Sequence, residues 1–311
     1  MAELIPDDIN FEAYEQATEF KAKVRPAKVF ADELDREFAP RQPGQRRVVM
    51  GSTKLRGVLE FRPGEVTVWA GYNGHRKSTF TGQVALDLIA QRERCLVISL
   101  EMPPRKTLAR MAKQACAVAT PSVGMLAEFM DWTDGRLWLF DHVGRLTPRK
   151  CLAVCRYFFD QLQGQHVFID SFMKVCESEE SMDEQKQLIG DLCDLAKETD
   201  LHLHVVAHCR KPAGGTEDRP PTKYDIKGSG AVSDQAHNVL LVYEDKVKRA
   251  EADKKEPRPE VLKRPDAIVV IDKQRNGAVE GKFGMWIDHR SMRFLDNEFE
   301  PVQPYDMGAT L

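Results

Sequence analysis

The chain has 311 residues, 42% of them hydrophobic and 30% charged, enough apolar material for one large domain or one domain with an arm. A formal net charge of −3 excludes a generally basic nucleic-acid coat, so any nucleic-acid contact must come from a local basic patch or from one assembled by oligomerisation. The seven cysteines are odd in number and form no C-x-x-C pair, and no apolar run approaches the roughly 20 residues of a membrane span; a reduced, cytoplasmic protein with no membrane association fits both.

Residues 1–45 are charged and contain Pro26, Pro40 and Pro43, with one amphipathic stretch, Lys28 to Phe38, that places Val29, Phe30, Leu34 and Phe38 on one side. Such an arm has too little apolar surface to fold alone. It reads equally as a linker helix docked on a neighbouring subunit and as a helix packed on its own domain. Across 46–295, short β-branched or apolar runs alternate with helical segments: Val66 to Ala70, Cys95 to Leu100, Leu137 to Phe140, His166 to Asp170, Leu203 to Ala207, Val239 to Tyr243 and Ala267 to Ile271. This alternation predicts an α/β domain with a mostly parallel sheet flanked by helices. The runs Val239 to Tyr243, Ala267 to Ile271, Lys282 to Ile287 and Met292 to Leu295 lack helix-length connections and read as antiparallel strands at the C-terminal edge. Glu244 to Pro265 is dense in Lys, Glu, Asp and Pro and reads as a solvated, partly disordered excursion. Residues 296–311 form an acidic tail, read as a solvated terminus or a recruiter of a basic partner.

The first chemical signal is Gly71-Tyr72-Asn73-Gly74-His75-Arg76-Lys77-Ser78, followed by Thr79. It is one substitution short of the phosphate loop G-x-x-x-x-G-K-[ST], and it leaves a strand-like run to open a helix in which Phe80, Val84 and Leu88 recur at four-residue spacing. In such a loop successive backbone N–H groups face the phosphates, a lysine reaches the β and γ oxygens, and a hydroxyl ligates Mg²⁺. Lys77 and Ser78 supply the last two. Arg76 stands where the pattern has glycine, so its side chain must tolerate a backbone shape natural to glycine, or point away from the loop toward solvent or phosphate.

Four more clusters fall at predicted strand ends, where open α/β sheets place their ligands. Glu101, in Ser99-Leu100-Glu101-Met102-Pro103, could orient or deprotonate the water that attacks a γ-phosphate. Asp170, at the end of Val167-Phe168-Ile169-Asp170, could hold Mg²⁺. His208 could sense the γ-phosphate, and Arg210 and Lys211 beside it open a long loop, too long for a bare connector, that reads as a binding element. Lys273 and Arg275 lie two apart on an extended strand, on one side of it, and can address one phosphate together.

In this order, Leu100-Glu101-Met102-Pro103, Asp170, Val206 to Lys211, Asp225 to Gly230 and Lys273-Gln274-Arg275-Asn276-Gly277 resemble the helicase motifs of the DnaB-type replicative helicases. The His208 region is similar to the phage primase-helicase and Twinkle branch. The resemblance covers about residues 45 to 295. It implies a RecA-like P-loop NTPase core, assembled as a ring that is usually a hexamer, hydrolysing ATP or dTTP with Mg²⁺ while moving 5′ to 3′ along single-stranded DNA. In that scheme Lys77 and Ser78 hold phosphates and metal, Glu101 activates water, Asp170 supports the metal, and Arg275, helped by Lys273, reaches the next subunit's site as an arginine finger. Lys174, Arg210, Lys211, Lys223 and Lys227 are the candidates for a basic channel that collects single-stranded DNA. Partners implied are a separate primase, loader or DNA polymerase, in a bacterial host if the chain is phage-encoded. Two alternatives stay open: a RecA-like ATPase of recombination or DNA packaging, and a ring that binds DNA without hydrolysis because of Arg76.

Overall fold

The computed structural model describes residues 48–308 apart from 177, 179, 180, 213 and 229, together with Lys28 and Ala31. The amphipathic stretch Lys28 to Phe38, those two residues aside, lies outside the described residues. In chain order the body runs α1 (Thr53–Arg56), β1 (Val66–Ala70), α2 (Lys77–Ala90), β2 (Cys95–Ser99), α3 (Pro104–Cys116), α4 (Val123–Thr133), β3 (Leu137–Leu139), α5 (Pro148–Leu162), β4 (His166–Asp170), α6 (Met182–Thr199) and β5 (His202–Val206). There follow α7 (Ala231–Gln235), β6 (Asn238–Glu244), α8 (Lys246–Ala252), α9 (Pro259–Leu262), β7 (Ala267–Gln274), β8 (Gly281–Asp288) and β9 (Arg293–Leu295).

The strands join in one nine-stranded sheet of order β3-β2-β4-β5-β1-β6-β7-β8-β9. Pairing is parallel from β3 through β6 and antiparallel from β6 to β9. The expected mostly parallel sheet with antiparallel strands at its C-terminal edge is therefore the observed fold, with one correction. β6, expected among the antiparallel strands, runs parallel to β1, with Val68 opposite Val239. A parallel return needs a connection of a dozen residues or more, and the long loop after β5 provides it without a helix of ordinary length.

Alternation along the strands divides the core between the two faces. Val66, Val68, Ala70, Leu96, Ile98, Val167, Ile169, Leu203 and Val205 point to the face covered by α5 and α6. Trp69, Val97, Phe168, Val206, Leu240 and Val242 point to the other, where Phe80, Val84 and Leu88 of α2 and Met111 and Ala115 of α3 cover them. Because both faces are covered, β1, β2, β4 and β5 are buried along their whole length.

On the second face lies a buried histidine network. Trp69 Nε1 donates to His204 Nδ1 at 3.2 Å, which leaves the His204 Nε2 proton for His166 Nδ1 at 3.3 Å. His202 Nδ1 donates to the Arg62 carbonyl at 2.6 Å, so its Nε2 accepts from the Thr67 hydroxyl at 2.8 Å. Each ring is thereby fixed as a neutral tautomer, and burial lowers the pKa of all three, well below the ordinary value for His202 and His204.

Two further expectations are corrected. Glu244 to Pro265 is solvated along most of its length, as expected, but it is ordered: α8 and α9 are clamped by the buried Glu251, which meets Arg258 and Lys254, each at 2.8 Å, while Val261 enters the core. The acidic tail is also held. Asp296 is buried and accepts from Ser52 Oγ and Thr53 N at 2.5 Å each, and Tyr305 Oη donates to Asp87 at 2.5 Å while its ring stacks on Trp132. Asp296 and Tyr305 find their hydrogen-bond partners on distant segments, which composition along the chain does not reveal. All seven cysteines are buried and unpaired, and no helix among the described residues is long and apolar enough to cross a membrane.

Candidate nucleotide site and basic cleft

The phosphate-loop sequence leaves the C-terminal end of β1 and turns into α2. Gly71 must be glycine, because a Cβ there would lie 2.3 Å from the Val242 carbonyl oxygen of β6. Gly74 has φ +75°, and Arg76, with φ 59° and ψ 22°, holds the left-handed shape that suits glycine. Arg76 meets the first of the two alternatives, and its side chain leaves the loop for a buried carboxylate rather than for solvent or phosphate. It accepts that backbone, and it points out of the loop, with Nε donating to Glu244 Oε1 at 2.8 Å while Arg249 stands 3.6 Å from the same oxygen. Helices α4, α5 and α6 are capped by Ser122, Thr147 and Ser181. α2 enters through Arg76 with no side-chain cap, so its first N–H groups and its dipole are directed at whatever occupies the loop.

Lys77 is buried and donates Nζ to the carbonyls of Gly71 at 3.1 Å and Tyr72 at 2.9 Å. Burial pushes its pKa down, against the charge of Asp170. The Ser78 hydroxyl donates to Asp170, whose carboxyl is pushed up by burial, with the charge of Glu101 adding to the rise. These hard oxygens suit Mg²⁺, which is normally held by one or two carboxylates plus substrate phosphates rather than by a complete protein cage. No group of three His, Cys, Asp or Glu among the described residues could hold a metal ion by itself.

Glu101 and His208 stand at the ends of β2 and β5, on either side of the Asp170 strand. His208 Nε2 lies 3.5 Å from Glu101 Oε1, and Ser171 Oγ donates to the same oxygen at 2.9 Å. The His208 contact and the Ser171 hydroxyl bring the Glu101 carboxyl down to about 2, against the opposing effect of burial. His208 Nδ1 is buried without a partner. Glu101, His208, Asn73, Lys174, Arg210, Lys211 and Lys227 line one cleft of about 860 Å³. Four of the five basic residues proposed for a channel thus share a wall with the candidate chemistry. Lys223 does not line it and donates instead to the Asp272 carbonyl at 3.3 Å.

Lys273 and Arg275 do point to one side, as the strand spacing requires. Lys273 Nζ donates to the carbonyls of Ser233 and Asp234 at 2.9 and 2.7 Å, and Arg275 Nη2 lies 3.3 Å from the second. They are far from Lys77. Gln274 pairs with Asn238, at the start of β6, whereas Gly71 abuts Val242 near its end; four residues of strand separate the two by about 14 Å.

His75 belongs to the expected phosphate loop, but Glu217, Glu244, Lys246, Arg110 and Ser171, which support that loop and Glu101, escaped the sequence reading. His75 is wholly buried; its Nδ1 accepts from the Glu244 N–H at 3.1 Å, so its Nε2 donates to Glu217 at 2.9 Å. Glu217 also takes Lys246 Nζ at 2.8 Å and so ties the loop after β5 to the phosphate loop. Arg110 of α3 reaches the Thr79 hydroxyl at 3.4 Å and lines a small cavity beside Ser78 and Asp170. Only Ser171, next to Asp170, carried a positional signal.

A glycine loop rising from a central parallel strand, with acidic residues at the ends of β4 and β2 two and three places along the same sheet, is the layout of the RecA-like P-loop fold. Two solved structures share it: "ATPase Domain of G40P", with TM-score 0.64, 17% identity and coverage of 76% of this chain and 86% of that one, and a DnaB-like replicative helicase studied with primase, with TM-score 0.70, 16% identity and coverage of 91% and 70%. The chain belongs to the DnaB-like helicase C terminal domain family, whose model matches residues 51–296. Among curated relatives, the replicative DNA helicase DnaB of Haemophilus influenzae is 21% identical over 255 residues, covering 76% of this chain and 52% of its own length. That of Pasteurella multocida is 20% identical over 236 residues, covering 70% and 48%. The chain therefore spans about half the length of the relatives it matches.

Proposed function

We propose that the chain is the motor of a ring-forming replicative DNA helicase, hydrolysing ATP or dTTP with Mg²⁺ and moving along single-stranded DNA, 5′ to 3′, in the cytoplasm. The observation that carries this reading is the cleft in which Asn73 of the phosphate loop, Glu101 and His208 meet Lys174, Arg210, Lys211 and Lys227. Lys77 and the α2 N-terminus bind phosphate, Ser78 and Asp170 face the metal, and Glu101 orients water with Ser171 and His208 holding it. A bound Mg²⁺ supplies charge neutralisation on the phosphates. Because Glu101 keeps its charge well below neutral pH, it serves better as an orienting acceptor than as a strong base.

The separation of Lys273 and Arg275 from Lys77 carries the oligomeric part of the reading. These cations serve a phosphate only on another copy, through a head-to-tail contact, and such contacts close into a ring where the rotation between copies closes. The shape that Arg76 already holds favours an adapted loop over the non-hydrolysing alternative. Primase, loader and polymerase are the partners that follow from a replicative role.

The test is steady-state hydrolysis of ATP and dTTP, with and without single-stranded DNA, for the wild type, Lys77→Ala and Arg275→Ala. Both variants should lose turnover, Arg275→Ala on the order of 10³-fold. Mixed in equal amounts they should regain about one quarter of the basal rate, because a head-to-tail contact can then join an intact Lys77 to an intact Arg275. Wild-type turnover no higher than that of Lys77→Ala refutes the motor. Failure of the mixture to regain activity refutes the finger.

A further inference from the structure

We propose that Tyr224 is a stacking platform for a base of the single-stranded DNA held by the loop after β5; the inference rests on the DNA-translocating reading above. Tyr224 is 82% exposed, yet the backbone that presents it is fixed. Thr222 N and Oγ1 both donate to Asp225 Oδ2, at 2.8 and 3.0 Å, and Lys223 N donates to Asp272 Oδ2 at 2.6 Å. On the far side, Arg210 N donates to the Asp225 carbonyl and Lys227 N to the His208 carbonyl, each at 2.7 Å, and Ile226 is buried. Gly228 completes the anchorage: at φ +100° a Cβ would sit 2.0 Å from Gln185 Oε1. A loop tip with no function has no need of so much support for an aromatic ring that it leaves in water.

The surrounding charge selects the occupant. The loop carries Arg210, Lys211, Arg219, Lys223 and Lys227 against Glu217, Asp218 and Asp225. Two of those acids are occupied internally, Glu217 by His75 and Lys246, and Asp225 by the Thr222 turn and by Arg219, whose Nη1 stands 3.7 Å from it. The face turned outward is therefore cationic, and Lys223 Nζ lies over the Tyr224 ring, 5.6 Å from its centroid. A ring beside cations matches a base beside its phosphate, and because every base has a π-face the contact tolerates any sequence, as translocation demands.

The experiment measures binding of the full chain, with Mg²⁺ and a non-hydrolysable ATP analogue, to a labelled oligo-dT and to the same strand carrying abasic sites. Stacking predicts that the wild type binds the abasic strand about 5- to 100-fold more weakly. Tyr224→Ala should bind both strands alike, at the level of the wild type on the abasic strand, while Tyr224→Phe should behave as wild type. The salt dependence of Tyr224→Ala should match the wild type, whereas Lys227→Ala should lower the slope by about one. Equal wild-type affinity for the two strands overturns the stacking alone. Absence of binding to both overturns the DNA-binding reading with it. If Tyr224→Ala keeps the preference for bases and lowers the oligomeric mass in light scattering, Tyr224 is a contact between copies and the proposal is wrong.

Discussion

Replacing Arg76 by glycine would restore the usual phosphate-loop pattern, yet the structure predicts a loss of stability and no gain in turnover. The left-handed backbone costs an arginine about 1 kcal/mol relative to glycine, which the substitution would return. Against this stands the ion pair with Glu244, whose side chain is only 3% exposed. Removing one partner of a fully buried pair costs about 3–5 kcal/mol. Arg76 is 19% exposed, and Arg249 would remain 3.6 Å from the same oxygen, so about half that figure, ~2 kcal/mol, is the reasonable expectation. Arg76→Gly should therefore be destabilised by about 1 kcal/mol net, and combining it with Glu244→Gln should recover most of the loss. Urea denaturation of the four proteins in the cycle measures the coupling directly. A coupling energy below about 0.5 kcal/mol, or an Arg76→Gly protein more stable than wild type, would refute the pairing argument. Hydrolysis supplies the second check. The backbone already has glycine's shape, so turnover should stay within about threefold, and a rise of tenfold or more, about 1.4 kcal/mol of barrier, would mark the loop as damaged.

Three other outcomes follow. The Glu101 carboxyl, lowered to about 2, stabilises the fold above its unfolded pKa, and that contribution is lost only as pH falls toward 2. Side-chain ¹³C titration should find it ionised at pH 4, with His208→Ala moving the midpoint up; a wild-type midpoint near the ordinary value of 4.5 would contradict the assignment. The buried His166, His202 and His204 have lowered pKa values, so below pH 6.5 the unfolded chain binds more protons and stability falls. Each histidine steepens that fall by up to about 1.4 kcal/mol per pH unit, and a urea midpoint that stays flat from pH 7 to 5 would disprove the neutral network. Gly228→Ala should cost about 1–3 kcal/mol, from its positive φ and the Gln185 contact, and reduce the DNA-stimulated part of hydrolysis more than the basal part. Unchanged DNA stimulation would sever the loop's link to DNA.

What the sequence disclosed depended on whether a residue's neighbours in space are also its neighbours in the chain. Lys77, Ser78, Glu101, Asp170 and His208 were legible because each sits at the end of an apolar run. A parallel sheet gathers such ends along one edge, so chain position predicted proximity. The same logic located Lys273 and Arg275 on one side of a strand but could not say which end of the sheet they occupy. That depends on the direction of β6, and β6 was read backwards because its connection lacks an ordinary helix. Glu244 and Glu217 were invisible for another reason. One looked like the start of a charged excursion and the other like an ordinary loop acid, and only the fold reveals Glu244 beside Arg76 and Glu217 beside His75.

The Glu217 contact bears on how a motor could couple its two ligands. Coupling requires that one ligand change the free energy of the other's contacts, and contiguous packed or hydrogen-bonded groups are the physical means. In this chain the candidate DNA loop and the candidate phosphate loop meet directly: His75 lies between two glycines of the phosphate loop's neighbourhood and Lys77, and its Nε2 proton is given to an acid of the DNA loop. His208 extends the contact from the other side, since its ring meets Glu101 while its carbonyl receives the N–H of Lys227. A shift of either loop by an ångström must break one of these hydrogen bonds or carry the other loop with it. The arrangement that made Arg76 look like a defect is thus part of a loop braced from Glu217 and Glu244 together, and glycine at position 76 would leave Glu244 with less to hold.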